Sequence, residues 1–372
     1  MSMLNFIKKI FSIFSIFLIF NLTFVTSAQA GPTNPNTVSV GTGGSATAIK
    51  PQDVVFNSNG TKMFVLHNRT AGGAASQDED RVEEYALDPA FDITSAGSFQ
   101  ASIVVKNQET APRGLAFNND GTKMFVVGTE DNKVHEYTIS TGFDLSSTVN
   151  FIDSLSVNSQ DTDPNGIAFN NDGTKMFVVG DAGNDINEYT LSTGFDLSST
   201  VNHVDDFPVR NQDTSPRGIT FNNDGTMMFV VGDVGNDINK YTLSTGFDLS
   251  STVNFAGNFG IGGSGTGKTS SPNGIAFNDD GTKMFVTARF RAEVHSYDLN
   301  APFDIGYTDP ILSSSVPDNN AEGVALNANI VLNFSEKVNV ESGNITIHKT
   351  DDSIVETIDV AGSKVSGDGT SQ

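Results

Sequence analysis

The chain has 372 residues, room for two or three domains, and sets 21 basic against 44 acidic side chains for a formal charge of −23. It has no basic stripe to meet phosphates, which excludes nucleic acid as a partner. The absence of Cys excludes disulfides, thiolate metal sites and a cysteine nucleophile, while 36 Gly, 28 Phe and no helical periodicity point to an all-β, turn-rich fold.

Residues 1–30 read as a secretory signal peptide. Lys8 and Lys9 form the basic start, Ile10 to Val25 the apolar run, and Ala28-Gln29-Ala30 the small-x-small cleavage site, placed after Ala30. A membrane anchor is the alternative, but the run is about 16 residues and spanning needs roughly 20. Two of the 21 basic residues leave with this segment, so the mature chain carries 19 against 44. No second apolar span follows. The product is therefore expected in the periplasm, at the cell surface or secreted, with no membrane span after cleavage.

Residues 31–308 repeat one unit five times. A Pro opens the copies at Pro112, Pro164, Pro216 and Pro272, with a weaker start at Pro51. Tight turns follow at Asn59-Gly60, Asp120-Gly121, Asp172-Gly173, Asp224-Gly225 and Asp280-Gly281, where Gly supplies positive φ. Phe-Asp closes each copy at Phe91, Phe143, Phe195, Phe247 and Phe303. In the third copy the spacing predicts strands at 166–169, 175–180 and 186–191, with an outer strand of the type 151–157. Four antiparallel strands in tandem are the unit of a β-propeller, whose radial packing buries both faces of each sheet. A β-solenoid is the alternative, but its rungs are shorter and lack tight hairpins. Residues 37–41 look like an outer strand without a blade, and the fifth copy lacks one, so the N-terminal strand is expected to close the ring. The count is about five blades, with a degenerate sixth as the alternative.

The frame Pro-x-Gly-Ile-Ala-Phe-Asn-x-Asp-Gly-Thr-Lys-Met-Phe-Val-Val-Gly, followed by a Tyr-bearing strand, resembles the bacterial and phage propellers of the YVTN and NHL repeat groups. That resemblance implies the fold and leaves the activity open, because propellers host binding modules, enzymes and scaffolds alike.

Residues 309–372 abandon the repeat. Their Pro-x-Asn-x-Ala-x-Gly-Val opening and Phe-Ser-Glu strand end are similar to the bacterial Ig-like domains of S-layer proteins. Strands are expected at 330–334 and from 345 to 348. An Ig-type sandwich needs about 100 residues, so a partial, incomplete Ig-like β-sandwich, part of a longer chain, is expected here. A small complete β-domain is the alternative.

Immediately after each opening Pro comes a residue that varies within the copied frame: Gln52, Arg113, Asn165, Arg217 and Asn273. Chain direction places all five at one mouth of the central channel, where they either bind a ligand or solvate the rim. The second-to-third strand loops on the same face carry Asp181, Asp185, Asp233 and Asp237, oxygen donors suited to Ca²⁺ but without the twelve-residue EF-hand pattern. A turn-forming role is the plainer reading of these aspartates, and no other cofactor is expected. His135 and His295 occupy equivalent strand positions filled elsewhere by Glu83, Asn187 and Asn239, so neither is expected to be a ligand. No catalytic residue is assigned. Gly262 to Gly267 superficially looks like a phosphate loop and is read as an enlarged connection between blades four and five. The expected function is an exported, non-enzymatic binding or cell-surface module that takes a carbohydrate or protein ligand. A propeller hydrolase or lyase, and a structural spacer of a large adhesin, are the alternatives.

Overall fold

A computed structural model describes residues 35–40, 49–69, 80–261 and 271–305, together with four strands beyond them. The leader, the glycine loop 262–267 and most of residues 306–372 lie outside the described residues. The described fold is all-β apart from one 3₁₀ turn at Ile93–Ser95.

The chain enters as β1 (Asn36–Ser39). Blade 1 follows with β2 (Ile49–Phe56), β3 (Lys62–Arg69), β4 (Arg81–Ala86) and β5 (Ala101–Val104). Blade 2 holds β6 (Pro112–Phe117), β7 (Lys123–Gly128), β8 (Lys133–Ile139) and β9 (Val149–Ser156). Blade 3 holds β10 (Pro164–Phe169), β11 (Lys175–Gly180), β12 (Asp185–Leu191) and β13 (Val201–Pro208). Blade 4 holds β14 (Pro216–Phe221), β15 (Met227–Gly232), β16 (Asp237–Leu243) and β17 (Val253–Gly260). Blade 5 supplies β18 (Pro272–Phe277), β19 (Lys283–Ala288) and β20 (Glu293–Asp298), and β1 pairs antiparallel with β20 as its fourth strand. The inner strands β2, β6, β10, β14 and β18 each touch the next, and β18 returns to β2, so five blades close the ring.

Period-two alternation with both faces covered explains the continuous apolar run in the second strand of each blade, such as Met-Phe-Val-Val in β7 and β11. Met124 and Val126 of β7 pack toward blade 1, while Phe125 and Val127 pack toward blade 3. The last of these inter-blade cores joins Phe285 and Val294 of blade 5 to Val54, Met63 and Val65 of blade 1, with Val40 beside β1 sealing it. The abundance of Phe has the same origin. Phe125 of one blade meets Phe169 and Phe195 of the next at ring-centroid distances of 4.6 and 6.4 Å, and this triad recurs between every pair of blades. Each closing Phe has a left-handed backbone, as at Phe195 (φ 55), and its ring packs against the turn glycine.

A polar clamp reinforces three of the blade junctions. Lys175 Nζ reaches Phe247 O (2.6 Å) and Glu188 (2.7 Å), and Glu188 Oε2 accepts the buried Leu249 N–H (2.8 Å). Lys62–Glu84 and Lys123–Glu136 repeat it. In blade 4 the pattern is inverted: Met227 replaces the lysine, and Lys240, at the position of the glutamate, donates to Phe303 O (3.0 Å).

Beyond the propeller unit Gly31–Gly306, β21 (Leu312–Val316) pairs with β22 (Val331–Phe334), and β23 (Asn344–His348) with β24 (Ile354–Asp359). The strands expected at 330–334 and 345–348 are therefore present. No described helix is long and apolar enough to cross a membrane.

Candidate functional site

In blades 2 to 5 the inner strands start at the Pro itself, two residues earlier than expected, and in blade 1 at Ile49, and all contain a bulge. Pro164 pairs with Gly180 and Gly166 with Val179, leaving Asn165 as the extra residue, and blades 1, 2 and 4 shift identically. A bulge re-aims the side chain it carries. Here it turns the variable residue toward its neighbours around the axis.

All five rim positions take part in contacts between adjacent inner strands. Gln52 Oε1 accepts from Arg113 Nη1 (3.3 Å) and Asn273 Nδ2 (2.8 Å), and Arg217 Nη1 donates to Asn165 Oδ1 (3.0 Å). Arg217 also donates to Ser215 Oγ (2.7 Å) and pairs with Asp181 at 3.1 Å and Asp233 at 3.9 Å. Gln52, Asn165 and Asn273 are buried, whereas Arg113 and Arg217 are half-buried.

Two further cations join this rim, and the sequence reading did not single them out. Arg289 occupies the position of Thr129, Asp181 and Asp233 in other blades, and Lys50 that of Ala111, Asp163, Ser215 and Ser271. Burial, then the charges of Arg289 and Arg217, hold the Arg113 guanidinium below its usual range. Burial, then Arg217, does the same to Arg289, and burial with Arg289 and Arg113 lowers the Lys50 ammonium. The buried Nε of Arg113, Arg217 and Arg289 has no hydrogen-bond partner. An acidic chain thus gathers like charges at one mouth and leaves three donors unused.

One carboxylate lies deeper. Asp53 replaces the glycine found at Gly114, Gly166, Gly218 and Gly274, and accepts the Leu115 and Val54 amides at 2.8 and 2.9 Å. Burial pushes its carboxyl up to about 7 against the pull of those two amides. Asp53 also lines a cavity of about 260 Å³, together with Ala116, Ala168, Thr220 and Ala276.

The aspartates considered for Ca²⁺ are engaged within the fold. Asp181 pairs with Arg217, Asp185 accepts from Asn187 Nδ2 (3.0 Å), Asp233 faces Arg217, and Asp237 accepts from Asn239 (3.0 Å) and Asn258 (2.7 Å). Burial, opposed by Arg217, raises the Asp181 carboxyl to about 6. Among the described residues the one triplet of carboxylate and imidazole groups close enough to share a cation is elsewhere, at Glu109, Asp131 and His135 in blade 2. Burial raises the Glu109 carboxyl to about 7 and lowers the His135 imidazole. His135, which the repeat comparison set aside as a ligand, therefore stands beside two acids. His295 has only Glu293 (3.1 Å) as an acidic partner in the described structure.

Residues 74–254 match the family described as "Lactonase, 7-bladed beta-propeller", and residues 307–371 match the family described as "Bacterial Ig-like domain". The chain thus combines a propeller, here of five blades, with a bacterial Ig-like domain. Two solved structures are similar at low identity. A functionally unknown protein from Desulfotomaculum acetoxidans is 14% identical with a TM-score of 0.38, covering 87% of each chain. A protein from Lactobacillus plantarum is 10% identical with a TM-score of 0.38, covering 86% of each. No curated protein matches.

Proposed function

We propose that the protein is an exported, non-enzymatic binding module that captures an acidic group of a carbohydrate or protein ligand at the arginine-bearing mouth of the propeller. One observation carries this reading. Arg113, Arg217 and Arg289 converge there with unpartnered Nε donors, in a chain whose overall charge is −23. A guanidinium fork matches a carboxylate bidentately, and each charge-assisted bond contributes about 1.5–3 kcal/mol. Gln52 and Asn165 hold Arg113 and Arg217 by their amide oxygens, so the forks are oriented before a ligand arrives. Asp181 and Asp233 neutralise Arg217 in the free protein, and a ligand carboxylate would displace them. The surrounding acidity favours a single acidic group over a polyanion.

A hydrolase of the lactonase type is the second reading, favoured by the family match over residues 74–254. Against it, the carboxylates at the mouth are already engaged, Asp181 and Asp233 with Arg217 and Asp53 with two backbone amides, and the groups left open are guanidinium donors, which bind and polarise but do not abstract protons. Both readings are tested together by titrating the full chain with neutral and uronic-acid oligosaccharides and acidic peptides while assaying lactone turnover. Saturable binding of the acidic ligands, lost in Arg113→Ala/Arg217→Ala, supports the module. Turnover of a lactone overturns it, and no binding by any acidic ligand leaves the spacer.

A further inference from the structure

Blades 2, 3 and 4 copy each other so closely that coordinated departures stand out. Where blades 3 and 4 carry Asp161 and Asp213, blade 2 has Glu109. Where they carry Gly183 and Gly235 it has Asp131, and where they carry Asn187 and Asn239 it has His135. The acids of the neighbouring position, Asp185 and Asp237, are replaced by Lys133. Three substitutions distributed over a loop, a second loop and β8 thus assemble two carboxylates and an imidazole at one point.

Their geometry suits a small dication. His135 Nε2 lies 3.3 Å from Asp131 Oδ1 and 4.0 Å from Glu109 Oε2, and all three ligand atoms fall within 4.8 Å of one another. Ligands on a tetrahedral zinc-type ion sit about 2.0–2.2 Å from the metal, which places them roughly 3.3–3.6 Å apart by simple geometry. Small side-chain movements close the remaining gap.

The second observation is an unsatisfied group aimed into the cluster. Glu109 is fully buried. Its Oε1 accepts the Ala111 and Glu130 amides at 2.7 and 3.2 Å, while its Oε2 has no hydrogen-bond partner and faces His135. In blade 4 the corresponding second oxygen, on Asp213, accepts the Gly235 amide at 3.0 Å. The extra methylene of Glu109 sends its free oxygen toward His135 instead. A buried carboxylate oxygen left without a partner is costly, and a bound cation removes that cost. Outside the triplet, Lys133 holds the other oxygen of Asp131 (2.9 Å), and the two amides fix Glu109, which orients both acids.

We propose that blade 2 carries a binding site for a divalent transition-metal ion of the zinc class, held by Glu109 Oε2, Asp131 Oδ1 and His135 Nε2, with one coordination position open. Two carboxylates neutralise the dication. An imidazole and so few oxygens disfavour Ca²⁺, which takes six to eight oxygen ligands.

The test uses the full chain, stripped by chelator and titrated calorimetrically with Zn²⁺ and, separately, Ca²⁺. Co²⁺ absorption serves as a spectroscopic report of a four-coordinate site. The variants Glu109→Asp and His135→Asn restore residues that blades 3 and 4 carry, so both should keep the metal-free melting temperature. The expected result is one Zn²⁺ per chain with micromolar or tighter affinity, visible d–d bands with Co²⁺, and at least tenfold weaker binding in each variant. Binding confined to the millimolar range, unchanged binding in His135→Asn, or preference for Ca²⁺ overturns the proposal.

Discussion

Glu188→Lys in blade 3 creates half of the inverted clamp that blade 4 already contains. The substitution removes the acceptor of the buried Leu249 N–H, which costs about 1–3 kcal/mol when left unpaired. It also sets a second ammonium beside Lys175, whose carboxylate partner is gone. Breaking a buried pair costs about 3–5 kcal/mol, but Lys175 is 27% exposed, so water screens part of that and the total is about 3–4 kcal/mol. Adding Lys175→Met reproduces the Met227/Lys240 arrangement, in which a lysine on the third strand donates to the Phe carbonyl of the next blade. The double variant should therefore lose only about 2 kcal/mol, mostly the Leu249 amide. For a propeller of this size each kcal/mol moves the melting temperature by about 2 °C. Calorimetry on the full chain should show a drop of about 6–8 °C for Glu188→Lys and about 4 °C for the double variant. Lys175→Met alone, which strands the buried Glu188 carboxylate without its cation but with its Leu249 amide, should cost about 2–4 kcal/mol. The cycle should then show at least about 2 kcal/mol of favourable coupling. Additive losses would refute the claim that the blade 4 inversion is a compensated pair.

Gly173→Ala should destabilise by about 3 kcal/mol or more, because φ is +72° and an added Cβ would lie 2.2 Å from the Phe195 ring. Gly97→Ala, in open space and without a positive φ, should change the melting temperature little. Asp53 makes a pH prediction. Its folded carboxyl is raised from 3.8 to about 7, so the fold favours the protonated form. The contribution is complete below about pH 4 and is lost as pH rises through about 7, a swing of up to roughly 4 kcal/mol at 1.36 kcal/mol per unit. Denaturant melts at pH 4 and pH 8 should show the wild type losing stability relative to Asp53→Asn. Parallel behaviour of the two proteins would contradict the assignment.

The blade count and the ring closure were legible because the repeat frame dictates them. A Pro, a tight Gly turn and a closing Phe recur at fixed offsets, and each has a fixed backbone consequence. The five residues after the Pro were readable as one set because they vary where the frame does not. The bulge that aims them was not readable, since it arises from the register between Pro164, Gly166 and β11. Arg289 and Lys50 were missed for a related reason. Each is a single basic residue in a loop or strand start, and only the ring brings them to Arg113 and Arg217. The blade 2 triplet lay in the alignment of the copies as three separate changes. Their convergence needs the fold, because residue 109 is 26 positions from residue 135. Asp53 was visible as a departure from Gly, but its burial and its two amide donors were not.

The central claim is that the propeller mouth recognises an acidic group through its arginines. Isothermal titration of the full chain with a uronic-acid oligosaccharide at low salt, repeated with Arg113→Ala/Arg217→Ala and with the neutral sugar, tests it most directly. The account predicts saturable binding of the acidic sugar alone, weakened at least a hundredfold in the double variant and reduced as salt is raised. Equal affinity of the neutral sugar, or binding untouched by the two substitutions, would contradict it.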